Sequence, residues 1–135
     1  MVLAVLLAET FHRPRSRRWL EYLAWFLLSM VRSSRVSRLS LGAGQVRVEH
    51  WVRLGHLRNP WFSWDSLRRL CSIEANYDVV AAYLDSWFPS GVNDLADVAQ
   101  HYTGGRSIYY TVFLGVSLEA VCPEFRYRML TAHVD

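Results

Sequence analysis

The chain has 135 residues, enough for one domain with a core of its own. With 52% hydrophobic and 14% aromatic residues it is neither disordered nor fibrous, and no apolar run reaches the roughly 18 to 20 residues of a membrane-spanning helix. The net charge is +3, and arginine supplies all of the Lys/Arg class; its forked donors suit carboxylate or phosphate, so an anionic partner is expected.

The opening Met1–Ala8 is apolar but has neither a basic leader nor a cleavage site, so we read no signal peptide there. A helix is predicted from Val2 to Phe11, ending at Arg13-Pro14 because proline disfavours helical backbone in the residue before it. Pro14 suits the first turn of a second helix reaching about Val31, in which Trp19, Leu20, Leu23, Phe26, Leu27 and Met30 recur at three- and four-residue steps. We expect that stripe to face the core. Ser33 to Ser40 reads as a basic loop, and Ser40-Leu41-Gly42-Ala43-Gly44-Gln45 as a glycine turn, serine-capped, into a short helix over 46–54.

Arg58-Asn59-Pro60 breaks the chain, and Ser63 or Asp65 caps a helix through Leu70. A further helix runs from Glu74 to Trp87 with Val79, Val80, Tyr83, Leu84 and Trp87 on one side, ended by Pro89-Ser90-Gly91. Asn93 or Asp94 opens the next, with Leu95, Val98 and Ala99 inward, and Gly104-Gly105 closes it. The last spans Ser107 to about Val121 and stops at Pro123. The expected fold class is all-α: seven helices in one compact bundle over residues 1–135, standing alone or within a longer chain.

Cys71 and Cys122 are far apart, form no C-x-x-C and have no histidine at ligand spacing. No metal and no cofactor are therefore expected, while buried thiols and a single disulfide both stay open. The candidate chemistry rests on carboxylates. Glu9 ends an apolar helix, where desolvation disfavours the charged form and lifts a glutamate from about 4.3 toward neutrality, as a general acid needs. Glu21, mid-helix among aromatics within reach of Arg17 or Arg18, is its rival. Asn76 can place its amide in a cleft or hold a backbone turn, and Tyr102 can orient a carboxylate from the end of its helix.

Four pieces resemble, in order, the motifs of the lytic transglycosylases and their goose-type lysozyme relatives. Glu9-Thr10 is similar to the E-S pair carrying the catalytic acid, and Ser40-Leu41-Gly42-Ala43-Gly44-Gln45 to S-x-G-x-x-Q. Asn76 with Tyr83-Leu84 is similar to N-I-x-x-G-x-x-Y-L, and Tyr102-Thr103-Gly104-Gly105 to Y-N-x-G. The chain departs from the pattern in the long interval between Glu9 and Ser40, in Ala43-Gly44, Tyr77 and Val80, and in Thr103 where the family has asparagine.

The resemblance implies a lysozyme-like fold with a substrate cleft, in the cell envelope, periplasm or extracellular space. It also implies glycan strands of peptidoglycan as partner, with no nucleic acid. Such enzymes depart from the two-carboxylate scheme of most glycosidases. One glutamate, here Glu9, protonates the leaving oxygen between N-acetylmuramic acid and N-acetylglucosamine. It then takes the proton of the muramic C6 hydroxyl, giving a 1,6-anhydro product. Tyr102 would orient Glu9, Ser40 and Gln45 would line the floor, Asn76 would hold an acetamido group or a turn, and Thr103 would stand at the asparagine position. Trp61 and Trp64 are candidates for stacking on sugars. Two further readings remain: a wall-binding domain of the same fold with a degraded site, and an arginine-rich helical module for nucleic acid, resting on charge alone.

Overall fold

Val2–His12 is apolar on nearly every side, and the helix it forms (α1) buries one of them: Ala4, Val5 and Ala8 are fully enclosed, while Leu3 and Phe11 stay exposed. The computed structural model describes residues 1–92, 94–103 and 108–122, the side chains of His12 and Arg15 excepted. After α1 come α2 (Arg15–Met30), a 3-10 turn (Ser34–Arg38), two short strands β1 (Ser40–Leu41) and β2 (Val46–Arg47), then α3 (Val48–Arg53), α4 (Trp64–Cys71), α5 (Ile73–Trp87), α6 (Leu95–Thr103) and α7 (Ile108–Val121). The molecule is mostly helical, with seven α-helices among the described residues. The core gathers where α5 and α7 pack on α1 and α6 packs on α7. No helix among the described residues is long and apolar enough to cross a membrane.

Helix ends follow local chemistry. Arg13 is extended at φ −119° and ψ 117° before Pro14, which separates α1 from α2. Ser63 accepts from the Ser66 amide at 3.0 Å and Ser72 from the Ala75 amide at 3.2 Å, so each serine caps its helix. Asp94 accepts from the Ala96 amide at 2.8 Å. Asn93, Gly104-Gly105, Ser107 and Pro123, given capping or stopping roles from sequence, lie outside the described residues. Cys71 and Cys122 are exposed free thiols, which closes both options left open for them.

Three sequence expectations are corrected. Ser40–Gln45 is not a capped turn into a helix; it is the tip of a small hairpin in which Ser40 pairs with Arg47 and Leu41 with Val46. Gly42 at φ +80° and Gln45 at φ +51° make the reversal, and α3 begins only at Val48. Second, Ser33 to Ser40 is not a plain loop, because Val36 is fully buried and pulls Ser34–Arg38 into a 3-10 turn. Third, the α2 stripe faces solvent: Trp19 is 76% exposed and Met30 71%. Periodicity shows which residues share a face, not which way the face points. The inward face of α2 is fixed by polar anchors instead, with Trp25 Nε1 donating to Pro60 O at 2.8 Å and Tyr22 Oη to Leu70 O at 3.2 Å.

Candidate functional site

Glu9 sits in the last turn of α1 with only 5% of its surface exposed, beside the apolar Ala8 and Val5. A carboxylate in such a place must be hydrogen-bonded. Tyr110 Oη of α7 donates to its Oε1 at 2.7 Å, and Arg13 Nε stands 3.9 Å from its Oε2. Arg13 also binds Oε1 of Glu21, which takes Arg17 at 3.8 Å on the same oxygen and the Gln45 amide at 3.2 Å on the other. Arg13 and Glu21 therefore tie the end of α1 to the hairpin tip, across the long stretch of sequence between Glu9 and Ser40. The expected Glu21–Arg17 pair is present.

The hairpin tip is held from a second side. Gly44 lies against Leu6 of α1 and Val80 of α5, and a Cβ there would collide with Val80. Asn76, 1% exposed, accepts the Gly44 N–H at 3.2 Å and donates to the carbonyls of Leu70 (2.9 Å) and Ser72 (2.6 Å). Its amide is fully committed to backbone. Of the two roles expected for Asn76, holding a turn is the one these bonds serve, and it does not line the cleft described next.

A cleft of about 370 Å³ opens between the hairpin, α3, the end of α5 and the end of α6. Ser40, Gln45, Tyr102 and Thr103, all singled out in the sequence, line it together with His50, Tyr83, Trp87 and His101. Gln45 is 7% exposed; its Nε2 also donates to Gly42 O at 3.1 Å, and its Oε1 is buried with no partner among the described residues. Thr103 donates its hydroxyl to Ala99 O at 2.8 Å. Trp61 and Trp64 are not in this lining. The aromatic wall is made instead by Trp87 and His101, ring centroids 4.6 Å apart, and by Tyr83 edge-on to Tyr102 at 5.5 Å.

Tyr102 belongs to both places. It lines the cleft, its ring lies parallel to that of Tyr110 at 6.4 Å, and its hydroxyl is buried without a hydrogen-bond partner among the described residues. Burial, and after it the charge of Glu9, holds the Tyr102 hydroxyl well above the ordinary phenol range; the same two causes raise Tyr110. Both phenols are therefore protonated donors at neutral pH. Glu9 itself is not among the lining residues; the phenol that orients it is Tyr110 and not the expected Tyr102, which reaches Glu9 only through its stacking on Tyr110.

Tyr110 and Arg13 were not singled out in the sequence. A signal for Tyr110 existed: Tyr110, Leu114, Ser117 and Leu118 are buried at steps of four, seven and eight, a helical face that points inward while Tyr109 points out. Among the described residues no group of three or more His, Cys, Asp or Glu is gathered to hold a metal ion.

His50 gives the cleft a pH dependence. Burial first, then the charges of Arg53 and Arg47, lower its pKa, against the opposite pull of Glu49. The folded state thus favours neutral imidazole. As pH falls through about 6.5 the unfolded chain takes the proton first, so stability is lost in that window until the folded His50 is also protonated. The thermal midpoint of His50→Gln should accordingly fall less between neutral pH and pH 5 than that of the parent, as differential scanning fluorimetry would show.

No protein-family model, curated protein or solved structure matches the chain.

Proposed function

We propose that the protein is a peptidoglycan lytic transglycosylase of the cell envelope, with Glu9 as its single catalytic acid and base. The observation that supports it most is the buried Glu9 carboxylate, hydrogen-bonded by Tyr110, whose ring stacks on Tyr102 in a cleft also lined by Ser40, Gln45 and Thr103. In this reading a glycan strand lies in the cleft, its sugar faces against Tyr83 and Trp87 and its acidic groups near the half-exposed guanidinium of Arg47. Protonated Glu9 gives its proton to the glycosidic oxygen as the C1–O bond breaks. The resulting carboxylate removes the proton of the muramic C6 hydroxyl, whose oxygen closes on C1, so Glu9 ends as it began.

Glu21 is the less suitable acid, since one oxygen is taken by Arg13 and Arg17 and the other by Gln45. The test is incubation with purified sacculi and mass spectrometry of the soluble fragments. Anhydro-ended muropeptides are the expected product; reducing ends would replace transglycosylation by hydrolysis, and no fragments would remove the activity.

One observation favours a second reading, a glycan-binding domain that does not cleave. Glu9 is outside the cleft lining, with the Tyr110 and Tyr102 rings between it and the cleft. Retention on insoluble peptidoglycan with no fragments released selects this reading over the first.

A further inference from the structure

Helix α2 carries more apolar surface than its packing on the core uses. Its protein side carries Trp25 and Leu28 among the polar Arg18, Glu21, Tyr22 and Ser29, while Trp19, Leu20, Leu23, Phe26, Leu27 and Met30 all point to solvent. Past its first turn, no polar side chain interrupts that outward face. Trp19 also walls an apolar hollow of about 340 Å³ shared with Leu67, Leu70 and Ile73, so the greasy surface continues beyond the helix itself. A continuous apolar face of this kind on a soluble domain marks a contact surface.

Charge decides what fits it. The chain leaves the helix through Arg32, Arg35 and Arg38, all exposed and none with a carboxylate partner among the described residues. The only acid in α2, Glu21, is turned inward to Arg13, Arg17 and Gln45, and no Asp or Glu occurs between Glu21 and Glu49. Two copies paired along α2 would set arginine against arginine, parallel or antiparallel, with no carboxylate to answer. An apolar face bordered by unanswered arginines matches an interfacial helix lying on an anionic bilayer.

We propose that α2 docks the protein on an anionic lipid surface, its apolar face in the headgroup region and Arg32, Arg35 and Arg38 on lipid phosphates. The helix lies in the interface; it does not cross the bilayer. This is independent of the chemistry assigned to Glu9.

The test is co-sedimentation of the whole chain with vesicles of phosphatidylglycerol and phosphatidylcholine, against pure phosphatidylcholine. Binding to the anionic vesicles is expected, weakened by salt, with each Arg35→Glu or Arg38→Glu change costing about fivefold or more. Leu23→Asp with Leu27→Asp should lower it by about tenfold or more, with unchanged circular dichroism because both sites are exposed. Brominated lipid should quench tryptophan emission less in Trp19→Phe. Absence of binding to anionic vesicles, equal binding by the double Asp variant, or equal binding to neutral vesicles overturns the proposal. So does a lipid-free dimer that Leu23→Asp dissociates, which assigns the face to a second copy.

Discussion

Glu9→Gln is expected to slow the release of muropeptides by roughly 10² to 10⁴-fold, the usual contribution of a positioned acid, while barely moving the thermal midpoint. The amide keeps an oxygen to accept from Tyr110, and Arg13 keeps Glu21, so the local packing survives and only the transferable proton is lost. Glu21→Gln is the necessary companion. It removes a charge from between Arg13 and Arg17 and weakens the tie to Gln45, so it should lower stability and, through the hairpin, activity to a smaller degree. Fragment release at the parental rate by Glu9→Gln sinks the assignment. Activity lost only in Glu21→Gln would move the acid to α2.

The contrast between these two glutamates shows what the sequence could and could not carry. The helices were legible because their signals are local: Pro14 after Arg13, Ser63 as a cap, Val79, Val80 and Leu84 at helical steps. Tyr102, Ser40, Gln45 and Thr103 were legible as a group only through the resemblance, and they do line one cleft. The partner of Glu9 was not legible, because Tyr110 lies 101 residues away and only the packing of α7 on α1 brings it there. The direction of the α2 stripe was not legible either. Apolar spacing is the same for a helix facing in or out, and the deciding bonds run from Tyr22 and Trp25 to carbonyls 48 and 35 residues on. Tyr83, placed on one side of its helix with Leu84, does pack against the core and also lines the cleft, since residues one apart on a helix differ in direction by about 100°.

Asn76→Ala should be among the most destabilising single changes in the chain, by about 3 to 5 kcal/mol, a fall in thermal midpoint of roughly 10 °C or more. The Gly44 N–H loses its acceptor inside the protein, whereas Leu70 O keeps Tyr22 and Ser72 O keeps the Asn76 backbone N–H. The orphaned donor is the larger part of the cost, and two lost buried bonds add to it. Asn76→Asp is no remedy. It retains an acceptor for Gly44 but turns a carboxylate oxygen toward two carbonyls, and should be no more stable than the alanine variant. Gly42 supplies the internal control. Its φ of +80° strains any other residue, and a Cβ there would also collide with Asn76 Oδ1. Gly42→Ala should therefore cost less on the Asn76→Ala background than in the parent, because the colliding oxygen is gone and what remains is a close approach to Trp51 and a backbone strain of about 1 to 2 kcal/mol. Strict additivity in that double-mutant cycle, measured by chemical denaturation, would show that the Asn76 side chain does not stand against the turn at Gly42. Coupling would place the hairpin tip, and with it Gln45 at the cleft, under the control of one buried amide on α5.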